Sequence, residues 1–185
     1  EKYNFTGWFF VPTGFIECSV NDQHQYAIDN RILIEHQFNK FERLAMSWDE
    51  VKELSENEHV IGSHTSSHCR MFNEIDRVKL AYEIVNSKKV LEERLCKVIT
   101  SFCWVGGEEY TYTSGAAEEI KRANYKFSFM TNSNIILAKN SALHLDRTNI
   151  ESSWSKEIIY FQLSGFMDLF YYRKRKRIHK LTGNL

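Results

Sequence analysis

Two histidines four residues apart, His64 and His68, are the side chains of this chain best suited to chemistry. They lie in residues 60–68, where an apolar, β-prone stretch runs into a short polar loop. Imidazole is the commonest neutral metal ligand near physiological pH, and two rings so spaced can reach one ion. The spacing therefore allows a metal site at His64 and His68, although two histidines so spaced in a polar loop are more often ordinary surface residues; the flanking segments favour the metal site.

The residues between the two histidines are small and polar. The helical zinc-protease motif requires Glu directly after its first histidine. Thr65 occupies that place here, and Ser66 and Ser67 follow it. This composition excludes the helical protease motif and favours a strand end followed by a turn.

Strands and helices alternate along the chain, and they must carry this loop. Ser47 with Glu50 three residues later is a capping box, which predicts a helix from about Trp48 to Asn57. Residues 21–44 are predicted to be an irregular or helical insertion. Apolar patterning predicts strands at 8–11, 60–61, 101–105, 125–130 and 142–146, and helices at 73–97 and 113–123.

The predicted strands are separated by helices, a pattern typical of parallel β/α units. If the sheet curves like a barrel, the carboxyl ends of its strands meet on one rim. That rim would gather His64, the loop at Gly106 and Gly107, and the segments near Thr131 and Asp146. Periodicity alone leaves a doubly wound sheet open as the alternative.

Three segments together resemble the polysaccharide deacetylase family, the nodulation-type deacetylases of carbohydrate esterase family 4. Residues 7–14 are GWFFVPTG, residues 46–54 are MSWDEVKEL, and residues 59–68 are HVIGSHTSSH. The family has a strand close to ATFFVPTG, a helix that opens M-S/T-W-D, and a strand that ends G-S-H-T-x-x-H. The resemblance extends from about Tyr3 to Tyr125 and is most specific in roughly the first 70 residues.

The resemblance implies a fold and a ligand set. The family fold is a distorted, incomplete (β/α) barrel of α/β class. Two motif histidines and an aspartate bind a divalent metal there, most often zinc, so His64 and His68 would be the histidine ligands here. The aspartate belongs to an Asp-Asp pair on a strand before FFVPTG, a point upstream of Glu1. We therefore expect the first strand, with the metal aspartate and the catalytic-base aspartate, to be missing from this chain.

Residues 102–107, FCWVGG, occupy the place of a family strand that leads into a substrate-groove loop. The resemblance implies that the backbone N–H of Gly106 supports an oxyanion and that Gly107 lines the groove. Val105 replaces the family's usual proline. The alternative is a tight turn in which glycine supplies only backbone freedom.

Aromatic side chains near this loop are candidates for stacking on sugar rings. Trp104 and Tyr110 are the two groove candidates, and Trp154 is a third aromatic of the same kind. Aromatic faces pair with the apolar C–H side of a sugar. The alternative is ordinary packing in the core or at its rim.

A late histidine is the family's catalytic acid, and His144 is the only late one in a strand-like stretch of this chain. The resemblance therefore makes His144 the candidate acid, although its context differs from the family's leucine-rich pattern. The alternation of residues 143–147 equally allows a solvated face for this ring. Asp146 and Arg147 are expected to form a surface ion pair, with tuning of a neighbouring group as the alternative.

Composition indicates one packed domain over residues 1–185, with 43% hydrophobic and 14% aromatic residues. Lys plus Arg equals Asp plus Glu, at 24 each, so no net field draws the chain to nucleic acid or to an anionic membrane. Cys69 is a weak extra metal candidate because it adjoins His68. Without a C-x-x-C pair, the cysteines are expected to be free, mostly buried thiols of a reducing compartment: Cys18, Cys69, Cys96 and Cys103.

Residues 156–185 are predicted to form a closing helix with an apolar face and a solvated basic tail. Cations suit the carboxyl end of a helix, and residues 173–177 are all Lys or Arg. The alternative is contact of residues 173–180 with an anionic membrane or a polyanionic glycan. No signal peptide or membrane-spanning run is visible, so a cytoplasmic or cell-envelope location is expected.

The leading functional hypothesis is a metal-dependent hydrolase, with zinc as the expected metal, that removes acetyl groups from the amino sugars of a glycan. Imidazole and carboxylate ligands also suit cobalt and nickel. The second hypothesis is a glycan-binding relative that keeps the fold and has lost the chemistry. A third, weaker hypothesis is a membrane-surface adaptor built on the basic segment.

Overall fold

A computed structural model describes residues 3–33, 42–72, 74–137 and 141–183 of the chain. Within these residues five strands form one sheet, in the order β1-β2-β3-β4-β5, and all neighbouring pairs are parallel. The strands are β1 Trp8–Val11, β2 Val60–Ser63, β3 Ser101–Cys103, β4 Phe127–Met130 and β5 Leu145–Asp146. The predicted α/β class with a parallel sheet is confirmed.

The helices of the described residues connect these strands. They are α1 Thr13–Glu17, α2 Gln23–Asp29, α3 Trp48–Glu56, α4 Arg77–Ala81, α5 Ser87–Leu95, α6 Ser114–Arg122, α7 Lys156–Leu163 and α8 Phe166–Leu181. A π-helical segment, Tyr82–Asn86, joins α4 to α5, and a 3₁₀ turn spans Glu109–Thr111.

The sheet curves towards a barrel without closing. Its strands follow one another in sequence order, whereas a doubly wound sheet reverses direction at a switch point. The ring of Trp8 on β1 lies 5.1 Å from that of Phe129 on β4, centroid to centroid, although two strands separate them. Among the described strands β1 and β5 remain edges, which agrees with the incomplete barrel that the sequence implied.

Helices cover one side of the sheet and enclose the main hydrophobic core. α3, α5 and α6 contribute fully buried side chains at Val51, Leu91 and Ile120. The strands contribute Val11, Ile61, Phe102 and Met130 to the same cluster. The core thereby fixes the carboxyl end of β2, which His64 directly follows.

A smaller cluster of Phe15, Ala27 and Ala45 fixes part of the insertion predicted over residues 21–44. The buried Gln23 side chain accepts hydrogen bonds from the backbone N–H groups of Leu44 and Ala45, at 2.8 and 3.1 Å. These bonds hold α2 against the segment that leads into α3. Residues 34–41 of the insertion lie outside the described residues.

Several predicted boundaries differ from the structure. The helix predicted over 73–97 begins at Arg77, where the Asp76 side chain caps it by accepting from Lys79 N–H at 2.8 Å, and residue 73 lies outside the described residues. β3 ends at Cys103, so Trp104 and Val105 belong to the following loop. The strand predicted over 142–146 begins only at Leu145.

The C-terminal region differs from the prediction of one helix followed by a basic tail, although Arg173, Lys176 and Lys180 are exposed as expected. The region forms two helices, α7 and α8, and residues 173–177 lie inside α8. Arg175 is buried and donates to backbone oxygens, including that of Asp168 at 2.8 Å, while Ile178 is buried in the core. These anchors extend the helix through the basic segment.

The capping box at α3 provides a test of local stability. Ser47 Oγ accepts from Glu50 N–H at 3.2 Å, and Ser47 N–H donates to Glu50 Oε2 at 2.6 Å. We expect Ser47→Ala to lower the free energy of unfolding by about 1 kcal/mol, measured by urea denaturation. Ser153→Ala, at an exposed serine before α7, is the control. Equal effects of the two substitutions would contradict the capping role.

Candidate active site

His64 and His68 lie together in the loop that follows β2. His64 N–H donates to the Val11 carbonyl at 3.1 Å, which continues the β1–β2 pairing by one residue. Thr65 and His68 then take left-handed φ angles of 68° and 59°, so the chain turns rather than forming a helix. The two imidazole centroids are 5.0 Å apart, with 69° between the ring planes. The predicted strand end and turn are confirmed.

Backbone carbonyls determine which nitrogen of each neutral ring carries the proton. His64 Nδ1 lies 2.8 Å from the carbonyl oxygen of Cys103 at the end of β3, and His68 Nδ1 lies 2.9 Å from that of Asn30, which follows α2. A carbonyl oxygen only accepts hydrogen bonds, so each Nδ1 must carry the proton. Each Nε2 of the neutral rings therefore keeps a lone pair for a ligand.

Burial keeps both rings neutral at physiological pH. It lowers the pKa of His64 to about 4, and the neighbouring His68 and the charge of Arg147 act in the same direction. Burial also lowers the pKa of His68, with a further contribution from the charge of Arg70. Neutral imidazole is the form that binds metal ions, so no proton has to be removed first.

The spacing of the pair fits one metal ion. With Zn–N bonds of about 2.0–2.1 Å at tetrahedral angles, the centroids of two imidazoles lie about 5 Å apart. The observed separation is 5.0 Å. Among residues 3–33, 42–72, 74–137 and 141–183, no group of three or more His, Cys, Asp or Glu side chains could hold an ion. The described residues thus offer two nitrogen ligands and leave other coordination positions to other groups.

Two depressions meet at His68. A cavity of about 310 Å³ is bordered by both histidines and otherwise mostly by apolar side chains, among them Phe10, Phe15 and Met46. A second depression of about 270 Å³, which His68 also borders, is more polar and contains Arg31, Arg70 and Lys79 beside Asp29. An apolar recess therefore borders both histidines, and a mainly cationic one borders His68.

A buried carboxylate holds the loop between the histidines. Both oxygens of Glu83 accept from Ser67, one from its N–H at 2.9 Å and one from its hydroxyl at 2.7 Å. The Glu83 carbonyl also accepts from Ser66 N–H at 3.0 Å. Glu83 lies in the π-helical segment Tyr82–Asn86, and the sequence analysis did not select it.

Arg147 lies close to the pair, and its charge lowers the pKa of His64, which agrees with the alternative that it tunes a neighbouring group. Its Nη2 donates to Cys103 Sγ at 2.9 Å, and the carbonyl of Cys103 is the acceptor for His64. The expected surface ion pair with Asp146 is wrong, because Asp146 is buried and contacts Asn132 at 3.0 Å and His179 at 3.1 Å.

His144 lies in the contact between the sheet and α8. Its Nε2 is 2.8 Å from Thr182 Oγ1, and its ring stacks on His179 with centroids 4.8 Å apart. It is buried, so the solvated alternative is wrong. These contacts do not bring it to the His64–His68 pair, and its role as catalytic acid stays a prediction.

The loop after β3 has one glycine that its backbone requires. Gly106 has φ of +85°, a left-handed angle that favours glycine, as the turn interpretation expected. Gly107 N–H donates to Glu108 Oε2 at 3.0 Å, and Glu108 also pairs with Arg70 at 3.1 Å. A carboxylate of the chain itself therefore occupies the amide of Gly107.

The aromatic candidates have different surroundings. Trp104 is buried in the core, and its Nε1 donates to Ser128 Oγ at 2.8 Å, so the packing alternative holds for this ring. Tyr110 is exposed and stacks on Phe72, which borders the cationic depression beside His68. Trp154 is half-buried before α7.

The cysteines are free, as expected, but only Cys103 is buried. The prediction that they are mostly buried is therefore wrong. Cys69 Sγ donates to the Arg70 carbonyl at 3.5 Å. This thiol is not part of any metal-binding group of three among the residues that the structure describes.

The sequence model described as polysaccharide deacetylase matches residues 1–128. The chain belongs to the polysaccharide deacetylase family. This membership agrees with the resemblance carried by the motifs around His64. No curated protein matches the chain.

Solved deacetylase structures share the fold. The deacetylase PplD of Streptococcus pyogenes, solved with acetate, has a TM-score of 0.63 and 21% identity over 87% of this chain and 60% of its own. A de-N-acetylase from Aggregatibacter actinomycetemcomitans has a TM-score of 0.63 and 18% identity, over 87% of this chain and 66% of its own. IcaB from Ammonifex degensii has a TM-score of 0.62 and 15% identity, over 90% of this chain and 63% of its own. The chain thus spans between 60% and 66% of the length of these three structures.

The Glu83 contacts predict that this residue positions the loop between His64 and His68. In Glu83→Gln one acceptor oxygen becomes an N–H₂ group that faces donors of Ser67, so a buried hydrogen bond is lost. We expect the free energy of unfolding to fall by about 1–3 kcal/mol. We also expect zinc affinity, measured by calorimetry, to fall about tenfold, as for other groups that orient ligands.

Glu118→Gln on the exposed side of α6 is the matched control for Glu83→Gln. It should leave both quantities unchanged, because surface substitutions usually alter stability by less than about 0.5 kcal/mol. If Glu83→Gln behaved like Glu118→Gln in both measurements, the positioning role would be excluded.

Proposed function

We propose that this chain is the metal-binding part of a deacetylase that removes N-acetyl groups from the amino sugars of a glycan. The observation that supports this most is the pair of imidazoles at 5.0 Å, each fixed by a carbonyl with Nε2 left for a ligand. Family membership supports the same chemistry. The two relatives named as deacetylase and de-N-acetylase support the reaction class.

In this proposal His64 and His68 hold a divalent metal ion, and zinc is the expected one. Such an ion supplies Lewis-acid polarisation of a carbonyl and activation of water. The chain's own part is to hold two neutral imidazoles in place. Cys103 and Asn30 do this through their carbonyls, and Glu83 does it through the loop. A carboxylate ligand and a carboxylate base are expected from the family's Asp-Asp pair.

We infer that the two depressions accept different parts of the substrate. The apolar cavity beside the pair suits the methyl of an acetyl group, because its lining is largely aliphatic and aromatic. The stacked rings of Tyr110 and Phe72 present an exposed aromatic surface at the rim of the other depression. That surface suits the apolar side of a sugar ring.

Positive charge near the pair suits the negative charge that develops on an amide oxygen during hydrolysis. Arg147 supplies such a charge, since it lowers the pKa of His64. The Gly106 N–H remains the proposed backbone donor for the same oxygen. His144 stays the predicted acid for the leaving amine, and its contacts with Thr182 and His179 would have to change for it to act there.

The alternative is a glycan-binding relative that has lost the reaction. Two observations favour it: Val105 replaces the family's usual proline, and His144 is engaged with Thr182 and His179. Such a protein would bind acetylated oligosaccharides without releasing acetate. Binding without turnover therefore distinguishes the two functions.

The decisive substitutions are His64→Gln and His68→Gln in the full-length protein. The assay measures acetate release from N-acetylglucosamine oligomers with added zinc. We expect kcat/KM to fall more than about 100-fold in each variant, because groups that merely orient ligands are already worth about 10–100-fold. His24→Gln on α2, outside the pair, should retain activity.

Two outcomes would contradict the proposed reaction. Wild-type turnover in His64→Gln would show that the pair does not act in hydrolysis. Glycan binding by the wild-type protein with no acetate release, at any zinc concentration, would favour the binding function.

A further inference from the structure

Helix α7 is rich in large apolar side chains, yet it buries none of them. Ile158, Tyr160, Phe161 and Leu163 are exposed, and none of the residues in this helix is buried. A helix that is apolar all round is normally covered by other parts of a protein or by lipid. The exposed apolar side chains of α7 are therefore available to a partner that lies outside the described residues.

The exposed apolar surface continues onto α8. Gly165, with φ of +79°, turns the chain between the helices. The rings of Phe161, Phe166 and Phe170 follow one another at centroid distances of 5.4 and 5.3 Å. We call the following set the aromatic face, each member of which exposes 48% or more of its surface: Ile158, Phe161, Leu163, Phe166, Leu169 and Phe170.

Cations continue the same side of α8. Phe166, Leu169, Arg173, Lys176 and Lys180 are spaced three or four residues apart, so they form one stripe along the helix. All five are exposed. The stripe is apolar in its first half and cationic in its second half. Helix α8 carries six Lys or Arg and one Asp, although the whole chain has no net charge.

Other side chains of α8 fix the helix on the fold. Arg175 and Ile178 are buried, and His179 Nε2 lies 3.1 Å from the buried Asp146. Lys174 donates to the carbonyl of Gly107, and Arg177 pairs with Glu109 at 2.6 Å. The helix is therefore held with its stripe outwards, beside the loop that follows β3.

We propose that the aromatic face and the cationic half of the stripe dock onto an anionic lipid membrane. Apolar and aromatic side chains suit the boundary between head groups and acyl chains, and lysine and arginine suit anionic head groups next to it. Docking would be peripheral: none of the helices in the described ranges is long and apolar enough to cross a bilayer.

Charge favours an anionic membrane over a second copy of the chain as the partner of this surface. A symmetric dimer through the stripe would bring Arg173, Lys176 and Lys180 of both copies to one small interface, since twofold contacts pair a patch with itself. Like charges at an interface oppose association. Anionic lipid complements both halves of the surface at once.

The test is co-sedimentation of the full-length protein with vesicles. Phosphatidylcholine vesicles are compared with vesicles that also contain phosphatidylglycerol. We expect binding to the anionic vesicles that weakens as salt is added, and much weaker binding to phosphatidylcholine alone. The readout is binding rather than acetate release, so its result does not depend on the proposed reaction.

Two sets of substitutions examine the two halves of the surface. Arg173→Glu, Lys176→Glu and Lys180→Glu together should lower affinity for anionic vesicles by more than about 100-fold. Lys52→Glu, Lys89→Glu and Lys126→Glu, at exposed lysines elsewhere, are the matched control. Circular dichroism verifies that both triple variants fold.

The apolar half has its own pair of variants. Leu169→Glu with Phe170→Glu, at side chains 73% and 67% exposed, should abolish vesicle binding. Val78→Glu with Val98→Glu, at side chains 82% and 78% exposed elsewhere, should not. If the wild-type protein binds neither vesicle type, or if the controls lose as much binding as the stripe variants, the proposal is wrong. Self-association in sedimentation without lipid, lost only in the Leu169/Phe170 variant, would replace the membrane with a second copy.

Discussion

Two backbone carbonyl oxygens determine what the histidine pair can do. Cys103 at the end of β3 accepts from His64, and Asn30 after α2 accepts from His68. Each bond fixes the proton on Nδ1 and leaves Nε2 as a lone pair. Without these two acceptors the rings would be free to rotate and to exchange tautomers. The acceptors belong to elements far apart in sequence, so the site exists only in the folded chain.

The surrounding polar groups also hold the two rings in place, but they act through the loop and through Cys103 rather than on the rings themselves. The loop from Thr65 to Ser67 is largely buried, and buried backbone groups need partners. Glu83 supplies them from the π-helical segment, where one extra residue per turn changes the direction of a side chain. Arg147 does not touch the rings directly but donates to the thiol of Cys103, whose carbonyl holds His64. Burial raises the pKa of that thiol to about 11. The thiol therefore stays protonated beside the pair.

The sequence predicted the parts that depend on local pattern. The capping box, the parallel order and the turn at His64 follow from residue type and spacing. The carbonyl acceptors could not be predicted, because every residue has a carbonyl and only the fold selects Asn30 and Cys103. Trp104 was a groove candidate because its type suits sugar, yet the short β3 places it in the core. His144 was the candidate acid because the family has a late histidine, yet in the fold its ring stacks on His179 of α8.

The most direct measurement of this account is nitrogen NMR of histidine-labelled full-length protein near pH 7, without and with zinc. The account predicts that His64 and His68 are both neutral Nδ1–H tautomers before zinc is added. On titration both Nε2 signals should shift together at the same zinc concentration, while both Nδ1 protons remain. An Nε2–H tautomer at either ring, or zinc shifts confined to one of the two rings, would contradict the central claim.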